Sequence, residues 1–397
     1  MSEVVIVGVG QTPVGEHWEV SLRSLAAKAM LAAVRDAGGL RPQAVYIGST
    51  LSASLSRQAN LGSLLVDNAG LDGVEGVTVE AGGASGAAAL RAAYLAVRSG
   101  WVNIALVIGV EKYTDGVGSE VESAVAQTLD SDYEAMVGMT PTAQAGLLMQ
   151  RYLHEYSVDR SALGAFSVLA HANAARNPNA YFRKPISAET YAKAEMVSDP
   201  MNLLDMAPYA DGAAALLVAS SDSVPAEIPH PLVRITGSSS VTDTLALHDR
   251  PDPLAWLAAG FSVERACRQA GILPTDVDIY EYFDAFSIYA ALSLEAAGLA
   301  RRGEGWKSVR DGAVMTGGKN SEPRRIAFAS MGGLKGRGNP IGATGVYQAA
   351  EAALQLRGQA GAAQVPGAQR ALVQALGGPA STAVTHVLER MGRLEGF

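Results

Sequence analysis

Short runs of β-branched and aliphatic residues alternate along the chain with longer Ala/Leu-rich stretches of helical period. The pattern predicts strands at Val4–Gly8, Val45–Gly48, Gly76–Val79, Ile104–Val110, Ala213–Ala219, Val233–Ser238, Asp278–Phe283, Arg325–Ala329, Arg370–Ala375 and Ala383–Leu388. It predicts helices at Leu22–Ala37, Ser85–Ser99, Thr142–Tyr156, Ser161–Ala175, Ala255–Ala270, Phe286–Ala297 and Thr344–Leu356. Such alternation implies an α/β protein whose sheets are covered by helices. Many of the strands are uninterrupted apolar runs, as expected when both faces of a sheet are buried.

An internal echo refines this picture. Gly83-Ala84-Ser85-Gly86 opens one Ala-rich helix and Gly342-Ala343-Thr344-Gly345 opens another. Strands ending in Val7-Gly8 and Thr236-Gly237 precede them. The repeat predicts two similar α/β halves, 1–224 and 231–397, joined through the proline-rich stretch 225–231. Between 113 and 211 strands are few and turn residues abundant, so this segment reads as an insertion into the first half, of the kind that covers ligand sites.

Composition narrows the function classes. The 397 residues carry 31 Lys and Arg against 39 Asp and Glu, a net charge of −8, which argues against a nucleic-acid partner. No apolar run approaches the roughly 20 residues of a membrane span. The N-terminal segment has no signal-peptide pattern, so a cytoplasmic location is expected. The lone Cys267 excludes an internal disulfide framework and a cysteine-rich metal site. The six histidines show no metal-ligand spacing, and no metal is expected.

A set of short motifs then runs in order along nearly the whole chain: Gly8-Val9-Gly10-Gln11-Thr12-Pro13, Val79-Glu80-Ala81-Gly82-Gly83-Ala84-Ser85-Gly86, Gly109-Val110-Glu111-Lys112, Asp211-Gly212-Ala213, Asp284-Ala285-Phe286, and Gly332-Gly333-Leu334-Lys335-Gly336-Arg337-Gly338-Asn339-Pro340-Ile341-Gly342. Each is weak alone; the ordered series resembles the thiolase superfamily, in its sterol-carrier-protein-x/lipid-transfer-protein branch. The resemblance implies a five-layered αβαβα fold of two duplicated halves with a loop domain inserted in the first. It also implies a homodimer or larger assembly and an acyl-CoA ligand. Coenzyme A is then part of the substrate, and no bound cofactor is expected.

The chemical positions of that family are altered one by one. Its nucleophile motif Cys-Ala-Ser-Gly reads Gly83-Ala84-Ser85-Gly86, and glycine cannot form an acyl-enzyme. Ser85 lies two residues on and does not take over the role. The His-Asp-Cys-Phe motif reads Phe283-Asp284-Ala285-Phe286, and phenylalanine donates no hydrogen bond. The Gly-His-Pro motif reads Gly338-Asn339-Pro340, where Asn339 is a donor but not a base. The second cysteine's Cys-x-Gly motif falls near Leu376-Gly377-Gly378, without a cysteine.

Some members of the branch are similar in fold yet act as retro-aldolases with a DUF35-type (OB-fold and zinc-ribbon) partner. They lack the cysteine and carry tyrosines at the two histidine positions, a substitution this chain does not share. Catalytic candidates are therefore Tyr282, Asp284 and Asn339. On a straight strand, residues 280, 282 and 284 share the face opposite 283. Competing readings make Tyr282 a core aromatic and Asp284 the N-cap of the helix from Phe286 onward. Gly83, Ser85, Phe283, Gly338 and Gly378 are the substrate-binding candidates, with Gly82-Gly83 leaving a space where the cysteine would stand. Arg183 and Lys184 are candidates for the coenzyme A phosphates. Three functions follow in order: aldol-type carbon–carbon chemistry on lipid or steroid acyl-CoA without an acyl-enzyme, a non-catalytic acyl-CoA-binding subunit, and an acyltransferase with an unconventional nucleophile.

Overall fold

The chain was analysed as a computed structural model that describes residues 2–310, 314–315 and 324–392. Ten strands join into one continuous ten-stranded sheet, made of two five-stranded sheets hydrogen-bonded edge to edge. Across the first the order is Val4–Gln11, Gly212–Ser220, Ile104–Glu111, Ala44–Gly48 and Glu75–Val79. Across the second it is Val233–Thr242, Thr382–Arg390, Arg370–Gly377, Ile279–Glu281 and Ala327–Phe328. In both, the first two pairings are antiparallel and the last two parallel. The sheets meet where Val5 and Ile6 pair with Arg234 and Val233.

Both faces of each sheet are covered. On the first strand, Val5 and Val7 pack against Leu25, Ala26 and Ala29 of the outer helix Leu22–Asp36. Val4, Ile6 and Val9 face the other way, into the cluster containing Leu90, Val346 and Ala350. The helices Ser85–Arg98 and Thr344–Arg357, opened by the two echoing glycine turns, pack on each other between the sheets. Leu257–Ala270 covers the outer face of the second sheet. The outcome is the five-layered αβαβα arrangement with two duplicated halves.

The duplication holds at atomic level. A Cβ on Gly8 would stand 2.1 Å from the Ala33 carbonyl oxygen, and one on Gly237 would stand 2.1 Å from that of Ala266. At each place an outer helix rests directly on a strand, and each glycine adjoins a break in strand register. Only a residue without a side chain permits that approach.

The insertion supplies Pro141–Tyr156 and Gly164–Ala174. Thr140 caps the former, its hydroxyl accepting the Ala143 N–H at 3.1 Å, with Pro141 in the first turn. Three expectations change. The predicted 161–175 helix starts as a 3₁₀ turn, Arg160–Leu163, before becoming α-helical. The 325–329 strand is divided, Arg324–Arg325 pairing with Val314–Met315 and Ala327–Phe328 joining the main sheet. The 278–283 strand ends at Glu281, because beyond it the chain leaves the sheet to reach the helix Ser287–Ala296.

Candidate active site

The early end of that strand decides which of its neighbours reach the site. Tyr282 turns into an aromatic cluster with Tyr280, Phe328 and Phe166, at ring separations of 5.6, 5.8 and 6.3 Å. Burial pushes its hydroxyl well above the usual phenol range. Tyr282 therefore sits in the core reading, away from the cleft. Asp284 is fully buried, and its carboxylate accepts the backbone N–H of Leu334 at 2.7 Å and of Lys335 at 3.4 Å. It thus caps the short helix Gly333–Arg337; the expected role at the head of its own helix is corrected, since Phe286 occupies that position.

Phe283 points the other way, toward the first glycine turn. A narrow, mostly apolar cleft of about 50 Å³ lies between the halves, lined by Gly83, Phe283, Asn339 and Gly378 together with Leu376, Ile341, Phe286 and Met206. The expected vacancy beside Gly83 is filled. The Phe283 Cζ lies 2.7 Å and the Leu376 carbonyl oxygen 2.5 Å from where a Cβ on residue 83 would be. Position 83 has thus lost both its nucleophile and the room for one.

Ser85 is buried beneath the turn. Its hydroxyl donates to the Gly82 carbonyl at 2.6 Å and accepts the Ala81 N–H at 2.9 Å. Thr50 adds a second donor to the Gly82 carbonyl at 2.7 Å. Glu111 ties this turn to its echo: its Oε2 accepts the N–H of Thr50 at 2.8 Å and of Gly342 at 3.2 Å, while Oε1 accepts Ser49 and Leu51 at 3.0 Å each. Burial raises the Glu111 carboxyl to about 7 against these four bonds. The Gly342 N–H is thereby engaged, so the second turn does not offer that donor to a ligand. Glu80 is exposed and accepts the Gly82 N–H at 2.6 Å, a structural role.

Gly338 packs against Val14, Ala210 and Tyr181 behind the cleft at φ +106°. Arg183 and Lys184 are exposed and do not line it. Cys267 is buried on an outer helix, with its thiol pushed up to about 12. Of the ten residues singled out from the sequence, the fold brings Gly83, Phe283, Asn339 and Gly378 together around the cleft.

The other polar groups of the cleft carried no motif signal. Tyr289 follows Phe286 by three residues on one helix, ring centroids 4.9 Å apart. Tyr209 stacks on Tyr113 at 4.9 Å and reaches the cleft beside Asn339, to which its backbone is bridged. Burial holds both cleft tyrosines above the ordinary phenol range. Gln144 comes from the insertion. Among the described lining residues there is no Asp, Glu, His, Lys, Arg or Cys. Helical spacing from Phe286 could have pointed to Tyr289; Tyr209 and Gln144 arrive by tertiary packing.

A larger apolar groove of about 660 Å³ runs along the outer helix Leu257–Ala270, past Phe261 and Leu273, and shares no lining residue with the cleft. Among the described residues no group of side chains is arranged to hold a metal, and no helix is long and apolar enough to cross a membrane.

Comparison with known proteins agrees with the architecture. Residues 4–222 match the family model described as thiolase, N-terminal domain, and residues 239–390 match that of the thiolase C-terminal domain-like family. The chain is 38% identical over 392 residues, 98% of its length and all of the relative's, to an acetyl-CoA acetyltransferase of Methanothermobacter thermautotrophicus. It is 28% identical to a 17-hydroxy-3-oxo-4-pregnene-20-carboxyl-CoA lyase of Mycobacterium tuberculosis, over 90% of this chain and 92% of the lyase. The solved Ltp2-ChsH2(DUF35) aldolase superposes with a TM-score of 0.83 at 24% identity, covering 99% of both chains. The chain belongs to the thiolase family.

Proposed function

We propose that the chain binds an acyl-CoA thioester at the Gly83–Asn339 cleft and takes part in aldol-type carbon–carbon cleavage or formation with no acyl-enzyme, as one subunit of a complex with a DUF35-type partner. The observation carrying this reading is the packing of Phe283 onto Gly83, which removes the covalent route. In the cleavage direction the hydroxyl proton of a β-hydroxyacyl thioester passes to a base and the bond between the α and β carbons breaks. Its electron pair becomes the thioester enolate, and a proton returned to the α carbon completes a shortened thioester beside an aldehyde or ketone. No oxidant or reductant is needed. Asn339 supplies an amide donor for the thioester oxygen, where enolate charge develops.

The described cleft residues offer no base, and buried tyrosines resist losing their protons. The proton acceptor is accordingly assigned to the partner subunit. The likeness to a CoA lyase, and the fold shared with an aldolase solved together with a DUF35 protein, support aldol-type chemistry and a partner of that kind. The exposed Arg183 and Lys184 are proposed to meet the coenzyme A phosphates. The edge strand Glu75–Val79, with Val77 exposed, is proposed to pair with a second copy.

The test is to incubate the purified chain, with and without a DUF35-type protein, with β-hydroxyacyl-CoA and to assay aldehyde or ketone release. Turnover is expected only with the partner, and intact-mass measurement is expected to show no acylated chain. Absence of release with any such partner would overturn the aldol assignment. It would favour a second reading, a subunit that binds the thioester for chemistry done elsewhere, which the shortage of titratable groups in the cleft also supports.

A further inference from the structure

We infer that Gln144 is the residue by which the cleft recognises a hydroxyl on the acyl group, with Glu134 as its positioning residue; this rests on the proposed binding of an acyl thioester in the cleft. Gln144 is 1% exposed and lines the cleft. Its Nε2 donates to Glu134 Oε1 at 2.8 Å. Glu134 is itself buried and held by two backbone N–H groups, Leu247 to Oε1 at 2.9 Å and Asp130 to Oε2 at 3.1 Å.

A carboxylate accepts hydrogen bonds and cannot donate them, so the amide nitrogen of Gln144 must face Glu134. The orientation of the carboxamide is thereby fixed, with its oxygen directed away from that carboxylate. That oxygen, Oε1, is buried and has no hydrogen-bond partner in the structure. Buried polar atoms are nearly always satisfied, and a bare acceptor beside a cleft is a position for a ligand's donor.

Asn339 has the complementary arrangement. Its Oδ1 accepts the Thr344 hydroxyl at 3.1 Å, which leaves its amide nitrogen as the donating end. The cleft therefore presents one fixed acceptor and one fixed donor in a mostly apolar wall. An acyl thioester with a hydroxyl matches both, the hydroxyl donating to Gln144 and the thioester carbonyl accepting from Asn339. A free space of about 50 Å³ admits only a few heavy atoms, so the matching acyl group is short.

The test is calorimetric binding of 3-hydroxybutyryl-CoA and of butyryl-CoA, which differ in one hydroxyl, to the full chain and to Gln144→Met and Glu134→Gln. The wild-type chain is expected to bind the hydroxylated thioester about tenfold more tightly, as one hydrogen bond to an otherwise bare acceptor gives. Gln144→Met is expected to remove the preference while retaining butyryl-CoA. Glu134→Gln, which frees the carboxamide to rotate, is expected to weaken the preference with the fold intact by circular dichroism. It also covers the case in which Gln144→Met does not fold. Equal wild-type affinity for the two thioesters would overturn the role of Gln144 and leave thioester binding standing. Binding of neither would overturn the proposed function itself.

Discussion

The ring of Phe283 stands where a side chain at position 83 would begin: its Cζ is 2.7 Å from the point that a Cβ on Gly83 would occupy. The two residues are 200 positions apart, one in each half, and each accounts for the other. A cysteine at 83 would collide with the ring, and a ring at 283 needs an unsubstituted backbone opposite. The Leu376 carbonyl oxygen, 2.5 Å from the same point, closes the position from a second side.

Restoring the cysteine alone is therefore expected to damage the fold rather than revive acyl transfer. Gly83→Cys should destabilise the chain by about 2 kcal/mol or more, as overpacking a filled core does. Phe283→Ala should relieve only part of that cost, because the Leu376 backbone stays in place. Denaturant unfolding of both single variants and the double variant gives the coupling, expected to exceed about 0.5 kcal/mol. Strictly additive effects would show that the two side chains do not compete for one space.

Asn339→Ala should lower kcat/KM for β-hydroxyacyl-CoA cleavage, measured with the partner present, by about a hundredfold, the usual consequence of deleting one donor to a developing oxyanion. Asn339→His keeps an N–H donor and should recover part of the loss. An unchanged kcat/KM in the alanine variant would remove Asn339 from the mechanism.

Tyr282 and Asp284 should separate from the chemistry. Tyr282→Phe keeps the ring contacts to Tyr280 and Phe328 and is expected to leave turnover within about twofold of wild type. Asp284→Ala leaves the Leu334 amide without its acceptor and should cost about 1–3 kcal/mol of stability. Its kcat per folded molecule should hold. A selective loss of kcat in either variant, with normal stability, would return that residue to the site.

Acid should act through His386, which is fully buried and 3.0 Å from the Ala87 carbonyl through Nε2, its Nδ1 unpartnered. Burial lowers its pKa from 6.5 to about 4. The folded state thus disfavours the proton that the unfolded chain takes up. This contribution is fully present above pH 6.5 and is lost as pH falls from there to about 4, by about 3 kcal/mol. Glu111 and the fully buried Glu351, which accepts from the Arg337 guanidinium at 2.7 Å, have carboxyls raised by burial to about 7, so their effect runs oppositely: present below about 4.5 and lost as pH rises through 7. Comparing wild type with His386→Gln isolates the histidine, since both carry the two glutamates. The variant's stability relative to wild type should rise as pH falls through the 6.5–4 window; parallel curves would show that His386 does not titrate there.

The order of apolar runs, the repeated glycine turns and the ordered motifs determined the α/β class, the duplicated halves and the inserted segment, because those patterns record local periodicity and backbone demands that persist in any packing. That positions 83, 283 and 339 carry neither cysteine nor histidine was also legible, since it needs only the residue types. What those positions do instead was settled by tertiary structure. The strand ending at Glu281 sends Tyr282 into an aromatic core, Phe283 onto Gly83 and Asp284 to the helix at Gly333. A side chain's direction after a strand ends depends on what the next element packs against, and adjacent residues there share no periodic rule. Gln144 carried no motif, and its significance comes from Glu134, ten residues earlier, fixing its amide while the two halves close around it. Such a relation is made by burial, which turns an ordinary polar side chain into a directed acceptor only once water has been removed from around it.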